Sequence, residues 1–593
     1  MKFARLVPAL ALAVAAACPA LAASKPHNVL IFVADGLRYV SVTPQSAPTL
    51  WKLKHDGVDF TNSHSLYPTI TTVNASAIAT GHYIGDTGNF GNAIYTGYPV
   101  TGTNGAPITF QEDDTLLGDL AAHYNGNYLN ETSFLAAARQ AGYATAAMGK
   151  VGPTAIQDIT QRDGNGTIVV DDAIDTPRGI TVSPSVAAAI HAAGIDTTAP
   201  KTGAPNNEQQ QYLISIATKV VLPELAASGH PFAMLYWSRD PDASQHGEKD
   251  SMGKLTPGIN GVTGRAGIKD ADETLAALLA ALKAQGLDKT TDVFVTADHG
   301  FSTIDRHSQT SAAAKMTFAK VPAGETPPGL VAIDLADGLD LPMLDPFNKY
   351  APVDYKAGNL PSFATAALGS DPAKPDVFVV ANGGSDHIYL PNANAKDLAP
   401  KIVDVLSKED YVSGIFVDDA LGNVPGALPM SAVNLKGSAL TPQPSIIVSF
   451  ASHAIDGCKP LLMCAAEVAD TTLETGQGMH GSFSRADTRN FMAAIGPDFR
   501  TRFADPAPVS NADINPTLAH IVGLDIAAKG ALRGRVASEA LRHGSKVKVV
   551  RQTRTSTAAA NGEKTVLNYQ QVGDTRYFDA AGFPGRTVGL QTH

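Results

Sequence analysis

Continuous apolar runs, each ending at a polar residue, constrain the fold of this chain more than any other feature. Residues 28–34 (NVLIFVA) and residues 231–237 (PFAMLYW) have the pattern of strands that are buried on both faces. Residues 292–296 (DVFVT) form a shorter run of the same kind, and helical segments such as residues 264–286 lie between the runs. This alternation predicts an α/β protein with a mostly parallel central sheet.

Six Asp and His side chains follow predicted strands or occupy glycine-flanked turns near them: Asp35, Asp242, His246, Asp298, His299 and His480. Taken singly, such residues also occur in plain turns and exposed polar loops. In an open α/β sheet, however, the strand ends share one edge, so residues that are distant in sequence can converge there. Six such ligands and a hydroxyl would fill two divalent metal sites of about four ligands each.

A hydroxyl-rich segment, residues 67–82 (YPTITTVNASAIATGH), precedes a run of small residues that can form a helix. One interpretation is that Thr71 or Thr72 is the N-cap of that helix. The other is that a nucleophile lies at the positive helix end, where phosphate binds favourably. Chemistry alone does not distinguish Thr71 from its neighbours Thr69 and Thr72.

Two further polar residues are candidates for the same site. Asn92 lies in a segment rich in Gly and Asn, and is either a turn residue or an amide donor that faces the site. Lys150 follows the strand predicted over residues 143–149, and is either a solvated strand end or a phosphate ligand. The pair Asp386-His387 also follows a predicted strand, but it enters a second β segment, so we assign it to an inserted region.

The first residues and the cysteines indicate export. Residues 1–23 have a basic start, an apolar run and small residues before a cleavage position, which is the pattern of a secretory signal peptide. We therefore expect a secreted or periplasmic protein, and no other stretch is long enough to span a membrane. Cys458 and Cys464 are expected to form a local disulfide in an oxidising compartment, because two lone cysteines make a poor zinc site.

Composition shifts divide the remaining chain. The predicted catalytic core comprises residues 24–302, with an insertion at 154–206, and residues 471–545; a cap region at 303–470 separates its two parts, and a β-like tail at 546–593 follows. The formal net charge is −11, and the basic residues form no concentrated patch. A groove for a nucleic-acid polymer is therefore not expected.

Five short motifs occur along the chain in order: VADGLR, YPTITTVNASAIATGH, DPDASQH, TADHG and GMHG. In sequence and order they resemble the type I phosphodiesterase/nucleotide pyrophosphatase branch of the alkaline phosphatase superfamily. The resemblance covers residues 28–302 and 470–525, and it includes neither the cap nor the tail. It implies an alkaline phosphatase-like three-layer α/β sandwich, a cap inserted into it, and hydrolysis of phosphoester bonds.

The resemblance also implies roles for individual residues. Two divalent metal ions, zinc by this resemblance, would be held by Asp35, Thr71, Asp298 and His299 in one site and by Asp242, His246 and His480 in the other. Thr71 would form a phosphothreonine intermediate, and Asn92 would bind a phosphoryl oxygen. Manganese and iron remain open alternatives to zinc.

Two departures from the superfamily narrow the expected activity. The segment Thr71-Thr72-Val73 lacks the Cys or Ser followed by Pro and Arg that sulfatases need. Phosphomonoesterases with a threonine nucleophile carry a Lys-x-Arg pair, whereas Lys150-Val151-Gly152 offers only the lysine. We therefore expect a phosphodiesterase or nucleotide pyrophosphatase that acts on a small phosphoester or nucleotide. A phosphomonoesterase on the same scaffold and a non-catalytic metal- or phosphate-binding homologue are the alternatives.

Overall fold

A computed structural model describes residues 27–174 and 176–591, and the predicted signal peptide lies outside the described residues. An eight-stranded sheet forms its centre. Across this central sheet the strands follow the order Phe503–Asp505, Val58–Phe60, Met492–Ile495, Thr291–Thr296, Asn28–Ala34, Phe232–Ser238, Ala144–Gly149 and Ile168–Asp171. The strand Met492–Ile495 is antiparallel to both of its neighbours, and the other neighbouring strands are parallel. The prediction of a mostly parallel α/β sheet is therefore confirmed.

Both faces of the central sheet are covered. Alternate side chains of the strand Asn28–Ala34 enter two different apolar clusters, because successive residues of a strand point to opposite faces. Val29, Ile31 and Val33 pack in the cluster that contains the helix Thr71–Thr80, and Leu30, Phe32 and Ala34 pack in the cluster that contains the helix Val262–Ala284. Helices on the two sides and the sheet between them make the expected three layers.

The α-helices are short except for the one that ends at Ala284. Their bounds are Pro48–Asp56, Thr71–Thr80, Ile84–Thr87, Asp114–His123, Phe134–Gln140, Pro153–Ile156, Pro184–Ala192, Asn207–Ile216, Leu222–Ala227, Asp242–Gly247, Val262–Ala284, Leu330–Leu339, Ala395–Leu406, Arg485–Thr488 and Ile514–Val522. Among the described residues, none of these helices has the length and apolar composition needed to cross a bilayer.

A second eight-stranded sheet lies within the predicted cap. Its strands follow the order Ala351–Pro352, Met343–Asp345, Ala366–Leu368, Val377–Ala381, Ser385–Tyr389, Ile446–Phe450, Val412–Val417 and Leu428–Pro429. It packs in an apolar cluster of its own with the helices Leu330–Leu339 and Ala395–Leu406. Asp386 and His387 lie on one of its strands, within the region to which the sequence assigned them.

Smaller sheets complete the described chain. Their strands are Ser452–Ala454, Ala465–Glu467, Ser302–Ile304 and Gly478–Met479 in one sheet, Val550–Thr555, Val566–Val572 and Thr575–Gly582 in another, and the pairs Ser63–His64 with Val509–Ser510 and Ala93–Tyr95 with Ile108–Phe110. The three-stranded sheet lies in the predicted β-like tail. Cys458 and Cys464 are joined by a disulfide.

The predicted insertion, residues 154–206, takes part in the central sheet. It contributes the strand Ile168–Asp171, which extends the central sheet at its edge, and Val169 and Val170 of that strand are buried. Its three apolar residues lie in a segment rich in Asp, Gly, Thr and Pro, which is the composition of a loop. The division of the chain into core, insertion, cap and tail itself stays a prediction.

Candidate active site

Four neighbouring strands of the central sheet end at the same edge and carry the charged residues of the candidate site. The parallel register aligns Ala34 with Ser238 and Gly149 with Trp237, so the residues that follow these strands lie side by side. The charged residues delivered by the four strand ends are Asp35, Lys150, Asp242 and Asp298, and all four are buried. This is the edge at which open α/β sheets bind ligands.

Close backbone packing sets the position of Lys150. The preceding residue, Gly149, has a φ of +126°, and a Cβ atom there would lie 1.9 Å from the carbonyl oxygen of Trp237. Only glycine permits this approach. The backbone N–H of Lys150 then donates to the same carbonyl at 3.2 Å, which directs the lysine towards the centre of the site.

The helix Thr71–Thr80 presents its N-terminus to this edge. Its N-cap is Ile70, so neither Thr71 nor Thr72 caps the helix, and the capping interpretation is wrong. The Oγ1 atom of Thr71 lies 3.2 Å from Nε2 of His299 and 3.5 Å from Nζ of Lys150. This hydroxyl is therefore at the positive end of a helix and among charged side chains.

The two neighbouring hydroxyls are engaged in backbone contacts. Thr69 Oγ1 donates to the carbonyl oxygen of Ser482 at 2.8 Å, and Thr72 Oγ1 donates to the carbonyl oxygen of Gly91 at 3.0 Å. Of the three threonines, Thr71 is the one whose hydroxyl contacts the Asp/His cluster.

Asn92 closes the helix end from the opposite side. Its Oδ1 accepts from the backbone N–H of Thr72 at 3.0 Å, which satisfies one of the free donors of the first helical turn. Its Nδ2 donates to Oε1 of Glu112 at 3.2 Å. The side chain of Asn92 thus faces the site, and its amide orientation follows from these two partners.

One group of potential metal ligands comprises Asp35, Asp298 and His299. Their ligand atoms all lie within 4.8 Å of one another. Nε2 of His299 is 3.1 Å from Oδ2 of Asp298 and 3.6 Å from Oδ1 of Asp35. All three side chains are fully buried, and His299 contacts the Thr71 hydroxyl.

A second group comprises Asp242, His299 and His480, again within 4.8 Å of one another. Oδ1 of Asp242 is 3.6 Å from Nε2 of His480 and 3.1 Å from Nε2 of His246. His299 therefore lies between the two groups, and the imidazole rings of His299 and His480 are stacked with centroids 3.5 Å apart. His480 reaches this position because the strand Gly478–Met479 pairs with Ser302–Ile304, which begins three residues after His299.

The three imidazole rings share one hydrogen-bonding pattern. In each, Nδ1 is bonded to a backbone carbonyl oxygen: His299 to Gly300 at 2.9 Å, His480 to Thr69 at 2.8 Å, and His246 to Gly478 at 2.8 Å. A carbonyl oxygen only accepts, so Nδ1 carries the proton and Nε2 presents a lone pair in the neutral ring. Such outer contacts fix the tautomer of metal-binding histidines in proteins.

The carboxylate oxygens and imidazole nitrogens of the site are suitable ligands for divalent metal ions. Asp35 Oδ1, Asp242 Oδ1 and Asp298 Oδ2 are buried without a hydrogen-bond partner among the described residues. Each lies 3.1 to 3.6 Å from an imidazole Nε2, and a divalent cation bound between these carboxylate oxygens and neutral imidazole nitrogens would satisfy both. Imidazole nitrogen and carboxylate oxygen are together the ligands of zinc and of several other divalent ions.

Lys150 and Trp237 make polar contacts with the carboxylates of the site. Nζ of Lys150 lies 3.0 Å from Asp35, 3.1 Å from Glu112 and 3.3 Å from Asp242. Nε1 of Trp237 donates to Oδ2 of Asp35 at 2.7 Å. These contacts leave the other oxygen of Asp35 directed towards the histidine.

Burial and neighbouring carboxylates shift the pKa values of the Asp and His side chains in the site. Burial raises the pKa of Asp35 well above its usual value, and neighbouring carboxylates raise it further. Burial lowers the pKa of His480 well below its usual value. For His299 burial acts in the same direction, but adjacent carboxylates outweigh it and raise the pKa to about 9. The cluster therefore has a negative field that attracts cations.

A cleft of about 700 Å³ opens onto these residues, and Thr71, Asn92, Lys150 and His480 line it. A second cavity of about 980 Å³ shares Asn92 and His480 with the cleft and continues between the predicted core and cap. The Asp/His cluster is thus accessible from a space large enough for a small molecule.

Sequence reasoning missed three residues of this site, Glu112, Trp237 and Arg239. Glu112 follows the three-residue strand Ile108–Phe110, which is too short to be recognised in a polar segment. Trp237 and Arg239 lie at the end of a predicted strand and directly after it, and the strand-end rule could have included them.

Comparison with known proteins identifies the chain. Among curated proteins none matches it significantly. A family model described as type I phosphodiesterase / nucleotide pyrophosphatase matches residues 29–349, more than half of the 593 residues. Of the candidate site residues, only His480 lies outside the matched stretch. The chain therefore belongs to the type I phosphodiesterase/nucleotide pyrophosphatase family and is a hydrolase that acts on phosphoric ester bonds.

Proposed function

We propose that this protein is an exported two-metal phosphodiesterase or nucleotide pyrophosphatase that acts through a phosphothreonine at Thr71. The observation that carries the proposal is the position of the Thr71 hydroxyl, at a helix N-terminus and 3.2 Å from the histidine shared by two groups of metal ligands. A helix N-terminus favours the negative charge of a phosphoryl group.

The proposed metal ions are zinc. Asp35, Thr71, Asp298 and His299 would hold one, and Asp242, His246 and His480 would hold the other. The position of His299 between the two ligand groups would bring the sites close together. When bound, such a pair activates a nucleophile and stabilises the leaving oxygen of an in-line displacement.

The residues of the chain position and exchange the phosphoryl group. The Thr71 hydroxyl loses its proton to solvent and its oxygen forms a bond to phosphorus, while the bond from phosphorus to the leaving oxygen breaks and that oxygen takes up a proton from solvent. Asn92, which is held by the backbone N–H of Thr72 at the start of the helix, donates to a phosphoryl oxygen. Water then attacks phosphorus and the bond from phosphorus to the Thr71 oxygen breaks, which releases a phosphomonoester that keeps the second ester group and restores the Thr71 hydroxyl.

The second cavity supports a diester substrate. Phe110, Phe347 and Phe363 line it, and it begins at Asn92 and His480, next to the proposed phosphoryl position. Such a space would accept the second ester group of a diester, for example the nucleoside of a nucleotide. We take residues 303–470 as the cap that supplies Phe347 and Phe363 to this wall.

Export is proposed from the sequence of residues 1–23, which has the form of a secretory signal peptide. The disulfide between Cys458 and Cys464 supports it, because disulfides persist in oxidising compartments.

The nucleophile can be tested with the variant Thr71→Ala. We expect turnover of bis-(4-nitrophenyl) phosphate to fall by at least about a thousandfold, while bound metal stays near two ions per chain. The variant Thr71→Ser, which keeps a hydroxyl, is the matched control and should retain measurable turnover. Full activity of Thr71→Ala would contradict the assignment.

A phosphomonoesterase is the second candidate, because the Lys150 ammonium lies 3.5 Å from the Thr71 hydroxyl and would contact a terminal phosphoryl oxygen. The ratio of kcat/KM for 4-nitrophenyl phosphate and its diester decides between the two activities. A strong preference for the monoester would reverse the proposal.

A further inference from the structure

We propose that Glu112 makes this site select phosphodiesters over phosphomonoesters, by holding a negative charge beside Lys150 and Asn92. The inference rests on the proposed function, since it places the reacting phosphoryl group at Thr71 in the same cleft. Nothing in the strand-end pattern or in the motif order points to Glu112.

A two-stranded ladder brings Glu112 to the cleft. The strands Ala93–Tyr95 and Ile108–Phe110 pair antiparallel, so the residue before the first strand lies beside the residues after the second. Oε1 of Glu112 accepts from Nδ2 of Asn92 at 3.2 Å and lies 3.1 Å from Nζ of Lys150. Its side chain is 13 % exposed and lines the cleft.

The position of Glu112 relative to the nucleophile follows from these contacts. Lys150 Nζ is 3.5 Å from Thr71 Oγ1, and Glu112 is in contact with the same ammonium group. A phosphoryl group on Thr71 that is bound by Asn92 would therefore have the Glu112 carboxylate a few ångströms from its oxygens. Both contacts of Oε1 are made by donors, the amide of Asn92 and the ammonium group of Lys150.

The buried cations of the cleft are already balanced by carboxylates. Lys150 is shared among Asp35, Asp242 and Glu112, and Arg239 donates to Asp172. Lys249 also lines the cleft, but it is exposed, so solvent screens its charge.

A phosphomonoester dianion carries one more negative charge than a phosphodiester monoanion. Whatever the other charges of the site contribute, the carboxylate of Glu112 repels the dianion more strongly. Glu112 therefore disfavours the monoester through electrostatic repulsion, and a neutral residue at the same position would remove this repulsion.

The variant Glu112→Gln tests whether this repulsion sets the substrate preference. It removes the charge and keeps an amide oxygen that can accept from Asn92, and Asn92 also remains bonded to the backbone of Thr72. Because Glu112 lies in a half-buried segment, we expect the variant to fold. In the metal-loaded enzyme the ratio of kcat/KM for 4-nitrophenyl phosphate to that for bis-(4-nitrophenyl) phosphate should rise by about tenfold or more, since a tenfold change corresponds to about 1.4 kcal/mol.

Binding of two inhibitors gives a second readout that does not depend on turnover. At pH 8 inorganic phosphate is mainly a dianion, whereas dimethyl phosphate is a monoanion. Glu112→Gln should lower the inhibition constant of phosphate by about tenfold and leave that of dimethyl phosphate nearly unchanged.

Two control variants separate charge from shape. Glu112→Asp keeps the charge and should retain a substrate ratio near that of the wild type. Asp119→Asn makes the same charge change on the helix Asp114–His123, outside the residues that line the cleft, and should leave the ratio unchanged.

The inference is overturned if folded, metal-loaded Glu112→Gln keeps the wild-type substrate ratio and the wild-type phosphate affinity. It is also overturned if Glu112→Asp shifts the ratio as much as Glu112→Gln does, because shape would then be the cause. Either result leaves the proposed function intact. Full turnover by Thr71→Ala would instead contradict the proposed function.

Discussion

Oγ1 of Thr71 lies 3.2 Å from Nε2 of His299, although 228 positions separate the two residues in the chain. The contact joins a helix N-terminus to the end of a central strand, and both side chains are fully buried. The same histidine nitrogen lies 3.1 Å from Asp298, so the hydroxyl and a carboxylate converge on one ligand atom. The relationship leads to predictions about the nucleophile and the metal ligands.

Acid quenching during turnover of a phosphodiester should trap the phosphoryl group on Thr71. The reason is that this hydroxyl contacts the Asp/His cluster, whereas Thr69 and Thr72 donate to backbone carbonyls. Mass spectrometry of the peptide that spans residues 67–82 measures the site of the label. A phosphoryl group on Thr69 or Thr72 would contradict the assignment.

Replacing Asp298 by Asn should lower bound metal from about two ions towards one per chain and reduce kcat/KM by at least about a hundredfold. Asn is neutral, and it replaces one carboxylate oxygen of Asp298 by an amide nitrogen. Oδ2 of Asp298, which lacks a hydrogen-bond partner among the described residues, is the oxygen expected to bind metal. Metal analysis of the purified protein measures the first effect. The matched control is Asp386→Asn, which alters a buried Asp-His pair in the second sheet and should leave metal content unchanged.

Removal of metal by a chelator should lower the Tm of the protein. Ions bound only to the native state stabilise it by about 2.7 kcal/mol per site when free metal is at one hundred times the Kd. Without them, the buried carboxylates of Asp35, Asp242 and Asp298 lose their expected partners. Calorimetry before and after addition of zinc checks this, and an unchanged Tm would argue against resident metal ions.

Replacing Lys150 by Met should have opposite effects on metal binding and on catalysis. The ammonium group lies 3.0 Å from Asp35 and 3.3 Å from Asp242, so its removal takes a competing cation away from metal ligands. We expect tighter metal binding but a kcat/KM lower by about a hundredfold, because a donor to the phosphoryl group is lost. Lys150→Arg keeps the charge and serves as the comparison. Weaker metal binding in Lys150→Met would refute this account of the lysine.

The double variant Cys458→Ser, Cys464→Ser should lower the free energy of unfolding by about 2 kcal/mol. The disulfide closes a loop with a sequence separation of 6, and a short loop restricts the unfolded chain only modestly. We expect kcat/KM to stay at the wild-type value, because neither cysteine lines the cleft. A denaturation curve and a parallel assay separate the two effects.

Much of the fold was predictable because buried parallel strands have a local signature. The runs at residues 28–34, 231–237 and 292–296 correspond to the strands Asn28–Ala34, Phe232–Ser238 and Thr291–Thr296, in the mostly parallel sheet that the pattern predicts. The edge strand Ile168–Asp171 was not predictable, because its three apolar residues lie in a segment with the composition of a loop.

The sequence by itself determined the sheet class, the family and the set of Asp and His residues at strand ends, because each depends on short local patterns and their order. The chemistry of the segment left Thr69, Thr71 and Thr72 equivalent, and the resemblance alone favoured Thr71; the tertiary structure distinguishes them independently, because backbone carbonyls from residues 91 and 482 engage the other two hydroxyls. It also placed Glu112 beside Lys150, through a short ladder between segments that have no distinctive pattern. Hydrophobic periodicity in a single sequence identifies the elements that are buried, but it does not identify which distant segments contact each other.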